Sequence, residues 1–141
     1  MTSFVRWSVF LGLLTTTFVV AWCALAPSPD LRVIFWLPHV VTAWADANPA
    51  FRNFPAFALL GGFVFAFGFF WFHPRLWSPL AALGFLATVL VSLLGTALEC
   101  AQIWLPKRVF DLNDIAWSLA GSLAGVALVF FLSLPFAWNR R

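Results

Sequence analysis

The chain has 141 residues, of which 63% are hydrophobic and 9% are charged, and its formal net charge is +3. Its mean hydropathy of +0.96 lies far above that of soluble domains, so the composition excludes a soluble globular protein and predicts an integral membrane protein. The basic residues are scattered rather than clustered, which argues against nucleic acid as a partner.

The first apolar stretch covers residues 7–26 and follows Arg6. A bilayer core about 30 Å thick needs roughly 20 apolar residues of helix, and this stretch meets that length. The segment 24–26 resembles a signal-peptide cleavage site, but Pro27 would directly follow the cut. Because the apolar run is also longer than a typical signal core, we interpret it as a retained signal-anchor helix.

A shorter apolar piece, residues 33–45, follows the first span and is broken by Pro38. It is too short to cross a bilayer as a helix. Trp36 and Trp44 suit the level of the lipid head groups, where amphipathic rings accumulate. The piece is therefore predicted to lie in the membrane interface.

Three further stretches are long and apolar enough to cross the membrane. They cover residues 53–72, 79–105 and 112–134. Residues 73–75 predict a tight antiparallel turn after the second span, with Ser78 as the N-cap of the third helix and Pro79 at its first position. Pro106 should end the third helix, and the fourth should end before Pro135.

The predicted fold is all-α: one domain over residues 1–141, an integral membrane bundle of four transmembrane helices with a short interfacial segment between helices 1 and 2. Close packing of helices in lipid needs small residues on the contacting faces. The sequence offers one such face on each helix, and we expect these faces to meet inside. They comprise Ser8, Gly12 and Thr16; Gly61, Phe65 and Gly68; Thr88, Ser92, Gly95 and Glu99; and Asp114, Ser118, Gly121 and Gly125. The same faces are compatible with a homo-oligomer.

Most of the acidic residues lie around the connection between the third and fourth helices. Glu99 and Gln102 are three residues apart and therefore neighbours on one helix face, as are Asp111 and Asp114. At the bilayer centre a charged residue costs about 2.5–3.5 kcal/mol on an insertion scale. We therefore expect these side chains, with Arg108, to face the bundle and pair with one another.

Two interpretations of this stretch stay open. In the first, Asp111 is the N-cap of the fourth helix, Asp114 occupies a capping-box-like position, and Glu99 forms a buried ion pair with Arg108 that fixes the helix hairpin. In the second, these side chains form a polar pocket that opens toward the outer face. No capping role requires an acid at Glu99, which lies a full turn inside its helix.

The same stretch resembles the signature of the VanZ-like family of small polytopic membrane proteins. The resemblance covers about residues 95–130. It rests on Glu99-x-x-Gln102, on Arg108-x-x-Asp111-x-x-Asp114, and on Ser118, Gly121 and Gly125. The family commonly has Asn at position 118, where Ser118 keeps one hydroxyl but lacks the amide. The resemblance implies a helical bundle in a bacterial cell membrane with an envelope-related role, since the founding member is associated with reduced sensitivity to teicoplanin.

Arg6 before the first span and the Arg140–Arg141 pair after the last favour both termini in the cytoplasm. The leading functional hypothesis is then an envelope protein without a defined enzymatic activity, whose partners are membrane lipids and a lipid-linked phosphate or carboxylate ligand. No cofactor is predicted. The ligand-binding residues would be Glu99, Gln102, Arg108, Asp111, Asp114 and Ser118.

Two alternatives belong to other classes. A metal-dependent intramembrane enzyme would act on a phospholipid or a polyprenyl phosphate, with Glu99, Asp111 and Asp114 holding a divalent cation. The sequence contains no phosphotransferase motif and no nucleophile triad to support it. A transporter or proton path is the other alternative, but four spans leave little lumen in a monomer, and the acids gather at one edge of the membrane.

Overall fold

The computed structural model describes residues 3–26, 35–49, 51–72, 77–105 and 107–138. These ranges contain helices and no strand. In chain order the helices are α1 (Ser3–Leu25), α2 (His39–Ala47), α3 (Asn53–Phe72), α4 (Trp77–Gln102) and α5 (Leu112–Trp138). All except α2 are long and apolar enough to cross a membrane. The predicted all-α fold with four candidate spans is confirmed, and a short helix does lie between the first two.

Helix ends differ from the prediction at three places. α4 stops at Gln102 rather than near Leu105, because the next three residues form a tighter turn in which each N–H bonds to the carbonyl three residues back. Ser78 already belongs to α4, so it is not the N-cap. α5 continues through Pro135. A proline in the last turn disturbs the backbone hydrogen bonding of that turn alone, and transmembrane helices tolerate such a loss.

Some predictions concern residues outside the described ranges. These are the turn at residues 73–75, the helix stop at Pro106, and the positions of Pro27, Arg140 and Arg141.

The bundle is centred on the contact between α3 and α5, which is the most extensive in the molecule. Glycines allow it. A Cβ at Gly125 or at Gly121 would overlap the backbone of α3, at Ala58 and at Phe54 respectively, and a Cβ at Gly61 would stand 2.7 Å from the carbonyl oxygen of Ser122. The two backbones therefore touch directly, as the small-residue faces predict.

α4 joins this pair through small and hydroxyl-bearing residues. Gly95 packs between Phe57 of α3 and Ser118 of α5. The hydroxyls of Ser92 and Ser122 lie 3.3 Å apart, within hydrogen-bond distance across the α4–α5 contact. The inward faces predicted for the second, third and fourth spans therefore meet.

α1 is the peripheral helix of the bundle. It packs on α3 and α4, and Val20 is its one fully buried residue. Gly12 accommodates the Phe63 ring of α3, but Ser8 is exposed, so the prediction that Ser8 faces the interior is wrong. A helix that contacts the bundle along one side offers lipid the rest of its surface, which is why large apolar residues such as Phe18 are exposed.

Candidate functional site

The antiparallel arrangement brings five chain segments together at one end of the bundle. The C-terminal ends of α1 and α4, the N-terminal ends of α3 and α5, and the short helix α2 meet there around a cavity of ≈ 390 Å³. We call it the charged cavity. The polar side chains that line it are Arg52, Asn53, Glu99, Gln102, Arg108 and Asp114, with Thr15 and Thr16 further along α1.

The rest of the cavity wall is apolar. It extends away from the charged groups along α1, α3 and α4, where Val19, Val20, Ala56, Phe57 and Leu98 line it. Three of these belong to one buried apolar cluster, so this wall is continuous with the protein core. The cavity is therefore amphipathic, with a charged end and an apolar extension.

A larger space of ≈ 630 Å³ lies in the groove between α4 and α5. Its lining is apolar except for the hydroxyls of Thr88 and Ser92, and it contains no charged side chain. A shallow apolar groove on a membrane helix pair suits acyl chains of any lipid. Four of the predicted ligand-binding residues line the charged cavity instead: Glu99, Gln102, Arg108 and Asp114.

Glu99 is the most buried charged side chain of the cavity, with 4% of its surface exposed. Gln102 donates from Nε2 to Glu99 Oε1 at 3.0 Å, as their spacing on one helix face predicts. The other carboxylate oxygen, Oε2, is buried and has no hydrogen-bond partner. The amide of Asp111 lies near this carboxylate, and the charges of Asp114 and Arg108 act on it through space. The direct hydrogen bond to Glu99 comes from Gln102, while Arg108, which the sequence predicted as its ion-pair partner, acts on it electrostatically.

Arg108 caps the C-terminal end of α1. Its Nη2 donates to the carbonyl of Cys23 at 2.8 Å and its Nε to the carbonyl of Ala26 at 3.2 Å. The last carbonyls of a helix have no partner within the helix and carry partial negative charge. Sequence reasoning did not foresee this contact, because the two segments are more than 80 residues apart.

Arg108 and Arg52 also share one electrostatic environment. Burial lowers the pKa of the Arg108 guanidinium from its ordinary value, and the positive charge of Arg52 lowers it further, while Glu99 and Asp114 oppose both effects. Two cations near each other in a partly dehydrated space favour an anion between them.

The turn before Arg108 contains a strained residue. Lys107 has a φ of 70°, in the left-handed region that few side chains other than Asn and Asp adopt without cost. The Arg108 N–H donates to the carbonyl of Leu105 at 3.3 Å across this turn. The reversal directs the chain back toward α1, which places the Arg108 guanidinium at the cavity.

Arg52 and Asn53 are cavity residues that sequence reasoning missed. Both line the cavity from the start of α3. The Asn53 side chain hydrogen-bonds Asp114, and the charge of Arg52 acts on the same carboxylate. An arginine directly followed by an amide at the first residue of a span is a sequence signal that could have found them.

Two predicted site residues lie elsewhere. Asp111 is exposed and caps α5, accepting the Asn113 N–H on Oδ1 at 2.8 Å, which confirms its predicted capping role. Ser118 is 1% exposed and donates to the Asp114 carbonyl at 2.7 Å within its own helix. Neither side chain lines the charged cavity.

The carboxylates do not assemble as the enzymatic alternative requires. Among the described residues, no three Asp, Glu, His or Cys side chains form a group that could hold a metal ion. Asp111 accepts the Asn113 N–H in its cap and does not line the charged cavity with Glu99 and Asp114.

A family model described as VanZ/LLP1 matches residues 3–133. The chain belongs to the VanZ/LLP1 family. The match covers nearly the whole chain, whereas the residues that suggested the resemblance cover about 95–130. The VanZ/LLP1 match therefore also includes Arg52 and Asn53 and the α1 segment of the cavity wall. No curated protein and no solved structure matches the chain.

Proposed function

We propose that this VanZ/LLP1-family protein binds a membrane amphiphile in the charged cavity, with an anionic phosphate or carboxylate head at Arg52 and Arg108. One observation carries the proposal: a cavity of ≈ 390 Å³ joins two guanidinium groups at one end to an apolar wall at the other. A soluble anion needs no such wall, and an apolar molecule needs no such charges.

The charged end suits an anionic head group. Guanidinium groups bind phosphate and carboxylate through paired hydrogen bonds in a fixed planar geometry. An anion between Arg52 and Arg108 is attracted by both cations, whose charges act on each other in this partly buried space. Arg108 also donates to carbonyls at the end of α1, so a ligand at Arg108 would lie beside the end of that helix.

The apolar wall suits a hydrocarbon chain. α1 forms one side of it, and this helix is the least buried of the four candidate spans. A peripheral helix can separate slightly from α3 and α4 without disturbing the α3–α5 contact. Lipids could therefore enter the cavity sideways from the bilayer.

The proposed location is a bacterial cytoplasmic membrane, with both termini in the cytoplasm and the charged cavity under the outer leaflet. Arg6 before the first span supports this orientation. An anionic amphiphile at that level would be an envelope lipid or a lipid-linked envelope intermediate. The teicoplanin-related property of the family's founding member is consistent with such a role.

The test compares matched variants of two cations. Arg52→Gln removes a cavity guanidinium, and Lys107→Gln removes an exposed cation that does not line the cavity. Both proteins and the wild type are purified in mild detergent and titrated with phosphatidylglycerol and with diacylglycerol, which lacks the phosphate, under native mass spectrometry.

We expect phosphatidylglycerol to bind wild type and Lys107→Gln in preference to diacylglycerol, and Arg52→Gln to lose at least about tenfold in affinity, which corresponds to about 1.4 kcal/mol. Thermal unfolding in the same detergent checks that the variants are folded. Equal affinity of the wild type for the two lipids, or an Arg52→Gln protein that binds as the wild type does, would contradict the proposal.

A further inference from the structure

Among the residues that the structure describes, the lining of the charged cavity contains one buried acceptor without a hydrogen-bond partner. Glu99 Oε2 is buried and has no hydrogen-bond partner, although the other oxygen of the same carboxylate accepts from Gln102. An unsatisfied buried polar group destabilises the folded protein, and a charged one does so more strongly. Such groups are rare in native proteins, and each requires a physical explanation.

The nearby donors have other partners. Gln102 donates to Oε1 of Glu99, Asn53 bonds Asp114, and Arg108 donates to two carbonyls at the end of α1. The backbone N–H of Asp111 interacts with the Glu99 carboxylate, but it does not satisfy Oε2. Because Glu99 lines the cavity, a donor for Oε2 can come from a molecule inside it.

We propose that the amphiphile's head group carries a hydrogen-bond donor beside its phosphate, either a primary ammonium or a hydroxyl, and that this donor binds Glu99 Oε2. The inference rests on the proposed function and narrows its ligand class. The phosphate lies at the two guanidinium groups, the donor lies at Glu99, and the chain follows the apolar wall. Glu99 then selects among phosphate-bearing lipids by what is attached to the phosphate.

Paired lipids test this without altering the protein. Phosphatidylethanolamine and phosphatidylcholine share a phosphate and a net charge, but only the first has N–H donors. Phosphatidylglycerol and phosphatidylmethanol are both singly anionic, but only the first has hydroxyls. The apparent Kd of each lipid for the detergent-purified full chain is measured by native mass spectrometry.

We expect a preference of about tenfold or more, or about 1.4 kcal/mol, for the donor-bearing lipid in at least one pair. Hydrogen bonds to charged groups are stronger than those between neutral groups. A preference in the first pair identifies an ammonium, and a preference in the second identifies a hydroxyl. Equal binding of the two lipids within both pairs overturns the inference, and a water molecule bound at Oε2 would explain such a result. The proposed function would then still hold. If none of the four phosphate lipids binds, both fail.

A variant then assigns the preference to Glu99. Glu99→Met removes the acceptor while keeping an unbranched side chain of similar length, and Thr96→Val is the control one turn earlier on α4, where the hydroxyl bonds its own helix. We expect the ratio within the preferred pair to fall to about one in Glu99→Met and to be unchanged in Thr96→Val. A ratio that persists in Glu99→Met contradicts the assignment. Should this variant not fold, the wild-type ratios decide.

Discussion

The α3–α5 contact predicts opposite effects for the same substitution at two glycines. A methyl group at Gly125 would overlap the backbone of Ala58, with that residue's Cα at 2.9 Å and its carbonyl oxygen closer still. A methyl group at Gly84 would meet Val126 Cγ1 at 3.5 Å and Phe65 Cε2 at 3.6 Å, which are ordinary contacts. Gly125→Ala should therefore separate two helices, whereas Gly84→Ala should fit.

The magnitudes follow from the two environments. Overpacking costs about 1–3 kcal/mol, and Gly125→Ala should reach the upper end because a helix backbone cannot rotate away as a side chain can. Replacing Gly by Ala within a helix gains about 0.8–1 kcal/mol of propensity at either site. We therefore expect Gly125→Ala to lose about 2 kcal/mol net and Gly84→Ala to gain about 1 kcal/mol. The difference of about 3 kcal/mol corresponds to roughly 6–12 °C in Tm on the scale of soluble domains of similar size.

The assay is thermal unfolding of both variants and the wild type in one detergent, followed by circular dichroism at a helix wavelength. Gly62→Ala serves as an intermediate case, because its methyl group would meet the Val129 side chain at 3.2 Å rather than a backbone. The expected order of Tm is Gly84→Ala, then Gly62→Ala, then Gly125→Ala. If Gly125→Ala and Gly84→Ala shift the Tm equally and in the same direction, the direct backbone contact between α3 and α5 is refuted.

Two further predictions concern the connection between α4 and α5. Asp111→Ala removes the cap of α5 and should lower the free energy of unfolding by about 0.5–2 kcal/mol. It should leave the phosphatidylglycerol affinity unchanged, because Asp111 lies outside the cavity lining. A large loss of affinity in a protein of unchanged Tm would show that Asp111 belongs to the binding site. Lys107→Gly fits the positive φ, so its free energy of unfolding should lie within about 1 kcal/mol of the wild type's. Lys107→Val should have a lower Tm than Lys107→Gly, because a β-branched residue is strained at positive φ. Equal Tm values for the two Lys107 variants would contradict the left-handed conformation.

Much of the fold is determined by the sequence alone. Four stretches of sufficient length and hydropathy predict the spans, because a backbone in lipid must satisfy its hydrogen bonds internally and a helix does so within one segment. The spacing of small residues also predicts which helix faces pack, as Gly61, Gly95, Gly121 and Gly125 confirm. Local chemistry predicts the Asp111 cap and the Glu99–Gln102 contact, since each involves neighbours within one helical turn.

The tertiary structure decided which polar groups share a site. Arg52 and Asn53 reach Asp114 only because α3 and α5 touch along their glycines, and Arg108 reaches α1 only because Lys107 reverses the chain. Ser118, although it belongs to the family-like pattern, faces Gly95 instead of the cavity. Hydropathy places a residue at a depth in the membrane but carries no information about its rotation toward one neighbour or another. In lipid that rotation is set by close van der Waals contact between particular side chains and backbones, which exists only once the helices have packed.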